Sequence, residues 1–277
     1  MTVNNIQELK QALEDGKMIK RWFCKTNITP DAAGTPMLAT GYSGMPPQIT
    51  TPSTAVAPTR TTTGAVHFPT PQGSNNSFLM GMGFNLSATQ GILLMDILSW
   101  QGGLSGTVTG AQTTNLPTAA LTRYTTGEGV MLGLACWVAT GSTSVNVTAS
   151  YTNQAGTTGR TTVSVAFWGG GFGAVTGAPT ATQVQFLPLQ SGDYGVRAVA
   201  SVTLSASTLT SGNFGVFLCK PLAMISNLPT NSTNEIEYVV SSTMMPEILD
   251  NAFLTPICGM NSTTAFTYWG YLNILQV

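Results

Sequence analysis

Few side chains in this 277-residue sequence could do chemistry, and their spacing argues against most of it. The single histidine, His67, lies in AVHFPTP with no acid or nucleophile close by, and nothing singles out a nucleophile elbow for a Ser-His-Asp arrangement. Cys24, Cys136, Cys219 and Cys258 are isolated, without the close pairs of a zinc site. Three of them stand in apolar, strand-like contexts, which predicts buried thiols; two disulfides remain open in principle, and a cytosol disfavours them. Glu128, Asp193, Glu235, Glu237, Glu247 and Asp250 lack calcium-loop spacing, and a carboxylate pair for glycoside hydrolysis could arise only through folding. Asp96 interrupts the apolar run GILLMDILSW and is expected to accept backbone hydrogen bonds at a bend or bulge. Beyond residue 31 the cations are Arg60, Arg123, Arg160, Arg197 and Lys220. Arg160 (AGTTGR) and Arg197 (SGDYGV) stand where turns enter strands and are expected to pair with Glu128 or Asp193 rather than with phosphate. No catalytic residue, cofactor site or metal site is predicted, and an enzyme is not expected.

The elements that must position these groups are strands. Val145, Val147, Ala149 and Tyr151 alternate with Asn146, Thr148 and Ser150, the mark of a half-buried antiparallel strand. Val196, Ala198, Ala200, Val202 and Leu204 do the same, with Val199 as the exception. Residues 91–100 read as a buried strand, and TAFTYWGYLNIL near the end as an aromatic-rich one. Met244–Asn251 reads as a short helix with Pro246 at its first position. The predicted fold is mainly β, an antiparallel β-sandwich of jelly-roll type, with a short N-terminal helix and an extended Pro/Thr-rich arm. The corresponding division is 1–31 for helix and docking arm, 32–77 for the extended segment and 78–277 for the sandwich.

Only 8% of residues are charged, against roughly a quarter in an ordinary domain. No apolar run reaches the roughly 18 residues of a membrane span, and 43% hydrophobic content is too high for disorder. With a net charge of −1, a surface of Thr, Ser, Asn and Gln has little colloidal protection, which implies coverage by neighbouring chains. A Thr-rich extracellular β domain is the bland alternative.

Nine of the 21 charged residues fall between Glu8 and Asp31. Asn4 and Asn5 can cap a helix with Ile6, Leu9 and Leu13 on its apolar side and Gly16 at its end. Such a helix is marginal alone and must dock on its own domain or on a partner. The segment that follows, MIKRWFC, is read as a first strand in preference to a nucleic-acid contact. Ile6, Leu9, Leu13, Trp22 and Phe23 are the candidate interface residues, and removal of residues 1–31 is expected to leave a folded sandwich that assembles poorly. Eight prolines between residues 26 and 77 forbid a regular central strand or helix through most of that stretch, which is expected to lie across a neighbour.

The motifs TTGEGVMLGLACWV, SYTNQAGTTGRTT, FLPLQSGDYGVRAVASVTLSAS and TSGNFGVFLCKPLA, in that order between about Gly91 and Ala223, resemble a module of uncharacterised virion structural proteins of tailed bacteriophages. The resemblance implies a head-associated particle component and carries no catalytic residues. The leading expectation is an oligomeric capsid decoration or cement protein, a trimer being one form. Its partner would be a phage major capsid protein, with no direct nucleic-acid role and no membrane. It would reside in a virion assembled in the host bacterial cytoplasm. The alternative is a tail or fibre component with receptor (glycan) binding, in which Trp100, Trp137, Trp168 or Trp269 stack on sugars if exposed; Trp137 and Trp168 fall in strand patterns that favour the core. A major capsid protein is third, since the long spine helix and many charges of that class are missing.

Overall fold

Alternation of apolar and polar side chains makes most of this chain into strands. The computed structural model describes residues 6–28, 36–70, 76–116, 121–141, 143–167, 183–238, 244–258 and 265–277. Helix α1 (Ile6–Glu14) is followed by β1 (Met18–Ile28), β2 (Met37–Leu38), β3 (Gly44–Met45), β4 (Ser77–Leu86), β5 (Gln90–Leu104) and β6 (Gln112–Leu116). Then come β7 (Met131–Val138), β8 (Val145–Asn153), β9 (Arg160–Thr161), β10 (Val165–Phe167), β11 (Val184–Phe186) and β12 (Val196–Leu204). The last are β13 (Asn213–Leu228), β14 (Thr233–Glu237), β15 (Glu247–Ile248), β16 (Leu254–Cys258) and β17 (Phe266–Gln276).

The strands form three antiparallel sheets. The first runs β14-β4-β17-β1-β3, the second β11-β7-β13-β5-β16-β2, and the third β10-β8-β12-β6. The expected sandwich is present, and it is doubled: the second sheet serves both halves. Along β5, Ile92 and Leu94 belong to a core shared with Phe23, Phe84, Tyr268 and Leu272 of the first sheet. Leu98 and Leu104 belong to a core shared with Val147, Tyr151, Val199 and Val202 of the third. A third core holds Met95, Ile97, Trp100, Trp137 and Phe217. The long strands β5 and β13 therefore run through every apolar layer but the one beneath the helix.

Asp96 stands on β5 between the residues of the first two cores. It is fully buried, and Arg123, in the loop before β7, meets it through Nε to Oδ2 and Nη2 to Oδ1, both at 2.9 Å. The Phe253 N–H donates to Oδ1 at 2.8 Å, and Arg123 Nη2 also donates to the carbonyls of Ile97 and Pro58. Burial pushes the Asp96 carboxyl up, against the opposing pull of Arg123 and the Phe253 N–H. The expected role for Asp96, accepting backbone at a bulge, is met: the β5–β13 register shifts between Ile97 and Ser99. The expected partner of Arg160 is also found, Nε lying 2.8 Å from Asp193 Oδ2. Arg197 instead donates to the carbonyls of Thr126 and Gln154. None of the four cysteines forms a disulfide, and all are buried.

Three expectations are corrected by packing. The Pro/Thr-rich segment, through its described residues 36–70, lies on its own chain: Ala39, Tyr42, Val66 and Phe68 enter the first core, and Val56 pairs with Trp100 of β5. Second, Met244–Asn251 contains no described helix; Glu247 and Ile248 pair with Phe78 and Ser77 of β4, because an edge that needs backbone partners outweighs a local helical tendency. Third, the segment MIKRWFC is the strand it reads as but not part of a separate docking arm: β1 is an inner strand of its sheet, paired with β17 on one side and β3 on the other. The helix ends where Gly16 adopts φ 69°, with Gly16 N–H bonded to Leu13 O and Lys17 N–H to Ala12 O. It docks on its own chain, Leu9 and Ala12 packing with Leu275 and Val277. Asn4 and Asn5 lie outside the described residues.

Removal of residues 1–31 accordingly takes out a paired inner strand, and the truncated chain is expected to lose its cooperative unfolding transition rather than remain a folded sandwich. Substituting Arg123→Met leaves the buried carboxylate without its cation and is expected to cost about 3–5 kcal/mol, read as a lower urea midpoint at unchanged m-value.

Candidate functional site

The outer face of the first sheet carries the least satisfied set of large side chains. Strand alternation and register decide which residues share it. Trp22 on β1 stands directly opposite Tyr271 on β17, and Trp269, two residues earlier on β17, points to the same side. Trp22 is 57% and Trp269 60% exposed. Trp100 and Trp137 are buried and meet edge to face at 6.1 Å. Trp168 lies outside the described residues. Of the five interface candidates, Phe23 and Leu9 are buried in the chain's own cores, Leu13 and Trp22 are exposed, and the Ile6 side chain is outside the described part.

The Tyr271 ring is held from several directions. It meets Trp22 edge on, with ring centres 5.2 Å apart, and Lys20 Nζ sits over it at 4.2 Å. Its hydroxyl donates to Glu235 on β14. Beneath it is Gly83 of β4, where an added Cβ would stand 2.6 Å from the ring, so a glycine is what lets the tyrosine lie flat across the sheet. Trp22, Trp269 and Tyr271 thus wall a cleft of about 170 Å³ whose rim includes Asn85 and Thr233. The neighbouring carboxylate favours the neutral phenol and pushes the Tyr271 hydroxyl up to about 12, with burial adding to the shift.

On the other side of Trp22 opens a wider groove of about 730 Å³, lined by Lys20, Arg21, Met45, Pro47, Arg60 and His67 among others. Its wall at residues 42–46 is clamped from behind by Lys25, which is buried and donates to Tyr42 O at 2.9 Å and Pro46 O at 2.5 Å. Burial pushes the Lys25 ammonium down to about 8. Arg60 is bound to Asp250 and Thr70 and stands over the Phe68 ring, so it faces inward as much as into the groove. His67 Nδ1 lies 3.3 Å from Arg60 O. The groove brings together cations, threonine hydroxyls and the histidine.

Sequence reasoning singled out Trp22 and Trp269 separately and did not join them. Tyr271, Lys20, Gly83 and Glu235 were not expected at all. Only the β1–β17–β4–β14 register brings them together, and no local signal encodes it.

Comparison with protein-family models and with curated proteins finds no match. Among solved structures the chain is similar to the VP2 subviral particle of infectious bursal disease virus, at 9% identity over 94% of this chain and 80% of that one, with a TM-score of 0.21. The Gt strain structure of the same virus gives 9% identity, 94% and 81% coverage and 0.18. T=1 particles derived from that virus give 9%, 94%, 78% and 0.19. Scores from 0.18 to 0.21 fall short of a shared fold, so the functional reading rests on this chain's own residues.

Glu235→Gln removes the charge that holds the Tyr271 proton. The expected result is that the Tyr271 hydroxyl, pushed up to about 12 in the parent, moves back toward the ordinary phenol range, followed by ultraviolet difference titration. No change in the tyrosine titration would disprove the contact.

Proposed function

We propose that the chain is a structural protein of a virus particle, and more narrowly an oligomeric decoration or cement protein on the head of a tailed bacteriophage. The observation that carries this reading is a surface poor in charge and rich in stranded apolar groups. Outside the tryptophan cleft, Met18, Met45, Val138, Val163, Leu209 and Met224 are exposed. Meanwhile Arg60, Arg123, Arg160, Arg197 and Lys220 all have partners within the chain. A dispersed monomer relies on free charge for solubility, whereas a subunit in a lattice has such faces covered. The resemblance between residues 91 and 223 and a tailed-phage virion module supports the same placement.

In this reading the protein performs no chemistry. An oligomer, for which a trimer is one form, binds the assembled shell of major capsid protein and not its free subunits, and it stabilises the shell by its binding free energy. Repeated weak contacts across subunit borders add through avidity. The doubled sandwich suits that role, since its layers share one rigid central sheet. It neither contacts nucleic acid directly nor enters a membrane, and it resides in the virion.

Cosedimentation with empty, undecorated heads tests the proposal, with the mass of the free protein from sedimentation equilibrium. The expected outcome is an oligomer that binds heads saturably at a fixed copy number per capsomer. A monomer that binds no heads would sink it, and binding to tails or host cells alone would transfer the assignment to the tail.

A further inference from the structure

The cleft between Trp22, Trp269 and Tyr271 has a recognisable chemistry, whatever particle the chain belongs to. Two indoles more than half in water are unusual in a folded chain, since each forgoes the stabilisation of a well-buried large side chain. Their neighbours are equally specific. The floor is Gly83, which admits no Cβ without displacing the Tyr271 ring. That ring is already fixed by Trp22, Lys20 and the Glu235 carboxylate. The aromatic walls are therefore set before any ligand arrives, and little side-chain entropy is lost on binding. The Asn85 amide and the Thr233 hydroxyl on the rim lie 3.5 Å apart and can turn to a ligand as donors or acceptors.

We propose that this cleft binds a neutral saccharide, a pyranose C–H face stacking on an indole while its hydroxyls bond to Asn85 and Thr233. Three observations choose this ligand. The cleft, at about 170 Å³, has room for about one sugar ring, and it is too small to be the roughly 800 Å² footprint that a stable protein partner needs on each side. Flat apolar walls beside an amide and a hydroxyl match a molecule with apolar faces and hydroxylated edges. Finally, Lys20 is engaged by the Tyr271 and Trp22 rings, and Glu235 and Glu237 both belong to β14 at the cleft's edge. That charge pattern repels sialylated or phosphorylated sugars.

The full chain is titrated with maltotriose, cellotriose and N-acetylchitotriose, followed by tryptophan fluorescence and by amide NMR shifts, after a screen on an array of neutral and acidic glycans. Saturable binding of at least one neutral glycan is expected, with shifts confined to β1, β4, β14 and β17. Trp269→Ala, Trp22→Ala and Gly83→Val should each weaken it by about tenfold or more. Trp269→Ala should leave the unfolding midpoint near that of the parent, and Trp269→Phe should retain part of the affinity. Failure of every neutral glycan to bind, preference for acidic glycans, or undiminished binding by the tryptophan variants would overturn the proposal. So would loss of oligomeric mass in those variants without any sugar effect, which would make the face a contact between copies. Because the readout is sugar binding by the isolated protein, its failure is separable from failure to bind heads.

Discussion

The whole fold turns on one buried ion pair. Asp96 and Arg123 are held out of water where the first two cores meet on β5. Removing two charges from water costs several kcal/mol for each, and their attraction offsets that only when geometry and hydrogen bonding are complete. Here they are: the pair is bidentate, and the remaining capacity goes to Phe253 N–H, Ile97 O and Pro58 O. Four distant stretches of chain, around Pro58, Asp96, Arg123 and Phe253, thus converge on one ion pair. Its contribution is registry more than net stability, since a slip of β5 against β13 by one residue would leave a naked charge in a core.

From that fixed centre the rest follows by layers. Because one sheet serves cores on both faces and toward both ends, its two long strands are apolar almost throughout and cannot present a polar working surface. The first and third sheets each have an outer face to give. On the first, register rather than local sequence assembles aromatics on a glycine floor. The charge-poor composition and this aromatic face are consistent with a protein whose surfaces meet other molecules.

Much of the architecture was legible and much of the site was not. Alternation names the buried face of β8, whereas in β12 Ala198 and Ala200 of the expected apolar face are half-buried and exposed respectively and the misfit Val199 is buried, because the register shifts on either side of it. Asp96 was readable as a backbone acceptor because a lone carboxylate in an apolar strand has few other stable fates. Its cation was not readable, being 27 residues away in an irregular loop. Lys25, just after MIKRWFC, carries no local mark of burial, yet its partners are carbonyls 17 and 21 residues on, which composition cannot reveal. Trp100 and Trp269 carry no local mark that separates a core tryptophan from a surface one; only the neighbouring strands do.

Chain order gives the first sheet a property in time. Strand β1 pairs along its length with β17, about 250 residues later, and β17 also fills the place between β1 and β4. At 5–20 residues per second, a ribosome makes β1 roughly 10–50 s before its partner exists. The strands of the other half, β6 to β12, find one another within a much shorter stretch and can close early. The lower half of the molecule, aromatic face included, comes into being last, and through that interval β1 has an unpaired edge that only a chaperone or good fortune keeps from another chain.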